Sequence, residues 1–331
     1  MYYIILQEIR GVIEMRIAVV GLGGVGGYIA ANLAKTSHEV VGFARGEHLR
    51  KIQKEGITII EEDSSVEINS GEISSWHPEG TSSLTLTANV KLNAKSLDEA
   101  DGYFDIVLFC VKSYDLKSSY EAISSHVDEE TIVLSLANGV EHGDELRVLS
   151  ECKVLDACVY ILSHVQEAGV IRKKGKVFAL VFGGLAEESK ILKALCDEAS
   201  LRAKVEEDSK TAIWKKYIFI SAFATATTFY DNTIGFVYEH HYDEVKTLLQ
   251  EIAEVAHAKG VNIYDEVEKS LEIAKNLPYD SSTSMHLDFQ NARRDELKTL
   301  SGYIVKEAKR EFVEVPLMHK MYGELLKRHK E

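Results

Sequence analysis

The chain has 331 residues, 45% of them hydrophobic, and a net charge of −14. That length suggests about two domains, and the composition is ordinary for a globular protein with substantial cores. The negative balance with no basic cluster argues against a nucleic-acid or anionic-membrane partner, and no apolar run approaches the length of a membrane span.

Residues 1–14 hold an apolar patch, Tyr2-Tyr3-Ile4-Ile5-Leu6, together with Glu8, Arg10 and Glu14. They lack a basic start and a small-residue cleavage site, so they read as an extension and not as a signal peptide. Met15-Arg16-Ile17-Ala18-Val19-Val20 then reads as a buried strand. Gly21-Leu22-Gly23-Gly24-Val25-Gly26 follows at once, and Tyr28, Ile29, Ala31 and Leu33 continue at helical spacing. A G-x-G-x-x-G between a strand and a helix, with a second strand behind it (39–44), is the context of a dinucleotide-binding turn. Gly21 serves the tight turn, Gly23 lets the backbone approach a pyrophosphate, and Gly26 lets the helix pack on the strand. The helix N-terminus offers unpaired N–H groups to the phosphates. After the second strand stands Ala44-Arg45-Gly46, with no acid until Glu47. Arg45 is therefore a candidate clamp for a 2′-phosphate, which points to NADP(H).

A short helix is expected over 48–54. Strand pieces follow at 57–60, 84–86 and 90–92, with a polar, exposed excursion over 61–83. The parallel-sheet pattern resumes at 105–111 and ends in Lys112. A helix over 116–127 leads to a strand at 131–136 and then Ala137-Asn138-Gly139. Ligands of open α/β sheets bind beyond the carboxyl ends of the strands, and Lys112 and Asn138 both stand there. Strands at 154–162 and 176–182 and a helix over 189–199 complete this half. Cys110, Cys152, Cys158 and Cys196 form no C-x-x-C pair and no zinc spacing, so they read as reduced cytoplasmic thiols, and no metal is expected.

From about residue 210 helical periodicity takes over, in segments 210–229, 242–259, 264–276, 284–309 and 316–329. The expected architecture is an α/β Rossmann-type dinucleotide-binding domain (1–207) followed by an all-α C-terminal domain (208–331). On the first of these helices Ile213, Lys216, Tyr217, Ile220 and Ala224 share one face, apolar except for Lys216. Such a lysine is costly unless it is paired, functional or snorkelling to a rim, whereas Lys215 points elsewhere. Ser284, Asp288 and Glu296 would align on one long helix.

These features together resemble the ketopantoate reductase (2-dehydropantoate 2-reductase) family, over residues 15–315. The resemblance rests on Val111-Lys112, Asn138-Gly139, Trp214-Lys215-Lys216, and the late block Ser284-Met285-His286-Leu287-Asp288, Arg293-Arg294-Asp295-Glu296 and Ser301-Gly302. It implies that Lys216 is the general acid and that Glu296 lies near it and engages substrate. It further implies that Ser284 and Asn138 contact substrate, and that Gly21, Leu22, Gly23, Gly24, Val25, Gly26, Arg45, Lys112 and Asn138 hold NADPH. The chain departs from the family pattern at Ile220 and Ala224, where Asn is usual one and two turns after the lysine, and at Ser281. The pocket wall should therefore be drier. The expected activity is NADPH-dependent reduction of a 2-oxo acid, ketopantoate first. The alternatives are a related NADP-dependent 2-hydroxy acid dehydrogenase with another substrate, or a non-catalytic NADP(H)-binding regulator. The expected partner is a small-molecule 2-oxo acid, with no nucleic acid and no membrane. A homodimer is left open.

Overall fold

The computed structural model describes residues 14–63 and 84–328. The extension before Glu14 and the part of the polar excursion beyond Asp63 lie outside the described residues. The first strand, β1 (Arg16–Val20), is buried from its second residue on. Gly21 turns the chain at φ +95°, and helix α1 (Gly24–Leu33) carries it back. The rest of the first half comprises β2 (Glu39–Phe43), α2 (Gly46–Glu55), β3 (Ile57–Asp63), β4 (Leu84–Val90), β5 (Asn93–Lys95) and β6 (Ile106–Phe109). After them come α3 (Leu116–Ile123), β7 (Ile132–Ser135), α4 (His142–Leu149), β8 (Lys153–Glu167), β9 (Val170–Gly183), α5 (Ala186–Glu198) and β10 (Ala203–Val205).

The strands form one mixed sheet in the order β4-β3-β9-β8-β7-β6-β1-β2-β5, with β10 beside β9. From β5 to β8 every neighbour is parallel, and the chain direction of the order reverses at β1 and β6. That reversal is the topological switch point at which doubly wound sheets bind nucleotides.

Two features of this half differ from the sequence reading. Residues 90–92 are not a strand piece of their own: β4 runs unbroken to Val90, and β5 starts at Asn93 and extends the parallel sheet beside β2. The segments expected at 154–162 and 176–182 are the inner parts of a far longer hairpin, whose pairing shifts register between Ile161 and Leu162. A bulge of this kind bends and twists a strand pair. The outer part of the hairpin passes over α1 and pairs with β3. This cover explains why α1 is buried nearly all round: a Cβ at Gly24 would lie 2.6 Å from the Ser163 backbone. The polar outer residues of β8 hid this extension from a reading by apolar runs.

The second half is helical: α6 (Ser209–Tyr230), α7 (Ile234–His240), α8 (Tyr242–Ala258), α9 (Asp265–Asn276), α10 (Ser284–Gln290), α11 (Tyr303–Glu311) and α12 (Pro316–Arg328). Helix α6 starts where the Asp208 side chain accepts from Thr211 N at 3.0 Å, an N-cap that satisfies one otherwise unpaired donor. It ends at Asp231 in the left-handed region. Its residues Trp214, Ile218, Phe223 and Ala226 are buried at the centre of the helical core.

The single long helix expected over 284–309 does not form. Helix α10 stops at Gln290, Ala292 takes φ +49°, and Lys298–Gly302 is a turn of π-helix before α11. The reason is visible in the packing. The carbonyls of Thr299 and Leu300 accept from Tyr217 Oη at 3.0 and 2.6 Å, and Leu300 O also accepts from Ser221 Oγ at 2.9 Å. Polar groups of α6 thus take up carbonyls of the widened turn. Among the described residues no helix is long and apolar enough to cross a membrane.

Candidate active site

The glycine turn lies at the carboxyl end of β1. The N–H groups of Gly21 and Leu22 donate to Phe43 O at 2.9 and 3.1 Å, so the turn is tied to the end of β2. Gly26 packs directly beneath it, since a Cβ there would lie 2.0 Å from Gly21 O. Gly23 is different. It is the N-cap of α1, has extended backbone, and a Cβ on it would meet nothing within 4 Å. No side chain caps α1 and no acid stands in its first turn. A half-buried turn with open space at Gly23, at the N-terminus of a helix, fits a pyrophosphate. Leu22 is buried below the turn and Val25 packs on the core beside it.

Arg45 projects from the start of α2, its side chain 90% exposed, with Nη2 3.3 Å from Asp115 Oδ2. Asp115 belongs to the loop after β6, and that loop forms a seam to the helical half. Lys112 Nζ donates to Asp288 Oδ2 at 3.0 Å and to Glu296 Oε2 at 3.2 Å. Ser113 N donates to Glu296 Oε1 at 3.2 Å, and Ser113 Oγ accepts from Thr299 Oγ1 at 2.8 Å. Tyr114 Oη donates to Arg294 O at 3.2 Å, while the Arg294 guanidinium stacks on the Tyr114 ring at 3.9 Å. Asp115 Oδ1 also accepts from Arg294 Nη1 at 3.2 Å, so four consecutive residues hold the other half of the molecule. Burial pulls the Lys112 ammonium down, but Glu296 and Asp288 outweigh it, and its pKa lies above the ordinary lysine value.

Lys216 is arranged differently. Its Nζ donates to Asn138 Oδ1 at 2.9 Å and lies 5.8 Å from the centre of the Tyr160 ring. The residue is half-buried, while its charged end is enclosed by protein. Desolvation lowers its pKa below the ordinary lysine value, against weaker upward pulls from Cys158 and Glu296. Asn138 follows β7, and its carbonyl meets the ring Nε2 of the buried His142 at 3.0 Å. A cavity of ≈ 10 Å³ sits here, lined by Ala137, Asn138, Cys158, Ile213, Lys216 and Ile220. It has room for about one water, so entry of any larger ligand requires its walls to part.

The structure thus brings Lys216 and Asn138 into contact, and Lys112 and Glu296 into contact. It does not pair Glu296 with Lys216, and Glu296 reaches that lysine only through longer-range charge. Asp288 and Glu296 meet on Lys112 across the broken helix and not along one helix face. Ser284 is exposed at the start of α10, where Thr283 provides the N-cap. Lys215 points outward, 3.8 Å from Glu266. Ile220 lines the cavity, but Ala224 is 1% exposed within the helical core, so the apolar wall consists of Ile220 and not of both residues. Tyr160 and Cys158, inward-facing on β8, and Asp115 were not found from the sequence. Alternation along a buried strand marks the first two as core residues, and only the fold sets Lys216 above them.

The chain is similar to known proteins over nearly its whole length. Residues 17–187 match the family described as Ketopantoate reductase PanE/ApbA, and residues 208–329 match Ketopantoate reductase PanE/ApbA C terminal. The chain is 27% identical to the uncharacterized oxidoreductase YkpB of Bacillus subtilis, covering 94% of this chain and 98% of that protein. It is 24% identical to a 2-dehydropantoate 2-reductase of Halobacterium salinarum, over 92% of this chain and 95% of that one. A PanE/ApbA family ketopantoate reductase from Ralstonia eutropha superposes with a TM-score of 0.82 at 27% identity, covering 96% and 99% of the two chains. D-mandelate dehydrogenase bound to NADH and anilino(oxo)acetate has the same fold, with a TM-score of 0.80 at 19% identity over 96% and 99% of the chains. The chain belongs to the ketopantoate reductase family and is an NADP-dependent oxidoreductase.

Proposed function

We propose that the protein reduces a 2-oxo acid with NADPH, most directly 2-dehydropantoate to pantoate, using Lys216 as the proton donor. The observation that carries this reading is a lysine enclosed beside a small cavity, held by a neutral amide oxygen and, among the described residues, by no carboxylate. Reduction of a ketone places negative charge on its oxygen. A positioned ammonium stabilises that charge and then neutralises it. A lowered pKa brings the donor nearer to working pH and eases the transfer. Bound NADPH would supply the hydride to the carbonyl carbon. The product is a 2-hydroxy acid, with the new O–H proton coming from Lys216 Nζ.

The remaining residues take supporting roles. Asn138 fixes Lys216 through Oδ1 and keeps its N–H₂ side for a ligand. The turn Gly21–Gly26 and the start of α1 hold the pyrophosphate, and Arg45 holds the 2′-phosphate. Lys112 sits at the carboxyl end of β6 on the cofactor's path and orients Glu296 toward the cleft. Ser284 engages substrate once the cleft closes on it. In this reading residues 1–207 bind the cofactor and 208–331 form the substrate side. Four unpaired cysteines suit a reducing, cytoplasmic setting. One structural neighbour is described as a dimeric ketopantoate reductase, from Staphylococcus aureus, which supports a homodimer here.

Ile220 favours a second reading of the substrate, an alkyl 2-oxo acid without the hydroxyl of ketopantoate, because its side of the cavity offers no polar partner. The test is NADPH oxidation measured with ketopantoate and a panel of 2-oxo acids. Turnover of ketopantoate supports the first reading, and preference for a simpler alkyl acid supports the second. NADPH binding without turnover of any member would show a non-catalytic regulator.

A further inference from the structure

Asp115 stands where two arginines from opposite halves of the molecule meet. Its Oδ2 accepts from Arg45 Nη2 at 3.3 Å and its Oδ1 from Arg294 Nη1 at 3.2 Å. Arg45 follows the end of β2, and Asp115 lies in the turn Ser113–Asp115 after β6. β2 and β6 are the two strands that flank β1. The arginine and the carboxylate therefore meet beside the end of β2, on the carboxyl side of the sheet. In a doubly wound sheet this is where the adenosine ribose is read: an acid accepts from a 2′-hydroxyl, or an arginine accommodates a 2′-phosphate. The end of β2, Ala44-Arg45-Gly46, carries the arginine and no acid. The loop after β6 brings an acid to the same place.

We propose that Asp115 is a specificity-determining residue for the cofactor: it supplies the 2′-hydroxyl acceptor that the end of β2 lacks and opposes the 2′-phosphate that Arg45 attracts, so the site takes NADH as well as NADPH. This rests on the reductase reading given above. The two partners of Asp115 are held unequally. Arg45 makes a single hydrogen bond to it, and its side chain is 90% exposed, so it can swing to a phosphate at little cost. Asp115 cannot retreat in the same way. Its side chain is 22% exposed and fastened by Arg294, which stacks on Tyr114 at 3.9 Å and donates to Tyr114 O at 3.3 Å. A phosphate that takes Arg45 therefore leaves this carboxylate beside it, and like charges at short range oppose binding. Arg294 offsets part of that repulsion. A 2′-hydroxyl in the same place donates to the carboxylate and meets no such penalty.

The experiment is to measure dissociation constants of NADPH and NADH by titration on the full chain without 2-oxo acid, for the unmutated protein, Asp115→Asn and Arg294→Gln. Asp115→Asn should tighten NADPH by about 3- to 10-fold, the scale of one partly screened charge, and weaken NADH by a similar factor. The change for NADPH should shrink as salt is added. Arg294→Gln, which leaves the carboxylate less neutralised, should move NADPH the opposite way and weaken it. If Asp115→Asn leaves the ratio of the two constants unchanged, or if both variants shift both cofactors in the same direction, Asp115 serves only as part of the seam and the proposal fails. A protein that binds neither cofactor would overturn the reductase reading itself, a distinct result.

Discussion

Lys112 and Lys216 both stand where the sheet half meets the helical half, and their surroundings push them in opposite directions. Lys112 is set between two carboxylates, Asp288 and Glu296, and its pKa is raised. Lys216 is set against an amide oxygen, an aromatic ring and a buried thiol, and its pKa is lowered. A lysine with two carboxylate partners keeps its proton and acts as a fixed cation. A desolvated lysine with a neutral partner is poised to give its proton up. The contrast teaches that residue type and position at an element's end do not decide the role. The local balance of burial against paired charge does.

The largest expected effect tests the Lys216 side of the contrast. Lys216→Ala should lower turnover by about 10²–10⁴-fold with NADPH binding nearly unchanged, because general acid catalysis is lost. Lys215→Ala, one position earlier and facing outward, should do little. Equal effects of the two substitutions, read by steady-state kinetics, would show that the helix face is misassigned.

Lys112→Met tests the other side. It removes the cation between Asp288 and the nearly inaccessible Glu296 and leaves both carboxylates facing each other. Breaking a buried pair is costly, but the Lys112 side chain is 38% exposed and screened, so the expected loss is on the order of 1–3 kcal/mol in denaturant unfolding. An unfolding curve identical to the unmutated protein's would mean that the seam carries no stability.

Ile220→Asn sharpens the comparison on the substrate side by giving the proton donor a polar neighbour. Specificity constants for ketopantoate and its deoxy analogue should differ little in the unmutated protein. The added amide should widen the gap, a hydrogen bond to a buried hydroxyl being worth roughly 1–3 kcal/mol at most. Strong discrimination that ignores the substitution would show that Ile220 does not face the substrate.

The smallest effect is a shift in a pH profile. The proposed reduction needs protonated Lys216, so activity should fall as pH rises through its pKa, which lies below the ordinary lysine value of 10.5. Desolvation sets that direction, and Glu296 partly resists it. Glu296→Gln should therefore move the alkaline limb to lower pH, whatever it does to the maximal rate. A limb that stays in place would mean that the charge of Glu296 is not felt at Lys216.

Much of the site could be read before the fold was known. Glycine spacing, a strand-end lysine and a strand-end asparagine are local signals that topology turns into a site by rule. The lysine on an apolar helix face was also legible, since 3.6-residue periodicity places Lys216 with Ile213, Tyr217 and Ile220. The same periodicity misled at 284–309. The interruption there depends on Tyr217 and Ser221 taking carbonyls from a helix some 80 residues away in sequence, which no local pattern records. Ala224 shares the face of Lys216 by spacing, yet the helix passes into the core before reaching it.

The sequence by itself determined the strand–turn–helix of the glycine motif, the apolar strands that begin near residues 15, 39, 105 and 131, and the change to helices near residue 210. These depend on backbone sterics and on hydrophobic period, which act between near neighbours. Only the tertiary structure decided which carboxylates meet which cations. Glu296 joins Lys112 rather than Lys216, and Asp115 joins Arg45 and Arg294, across separations of 70 to 184 residues. Charge pairing is set by distance and burial after the chain has folded, and neither quantity is encoded in the spacing of residues along the chain.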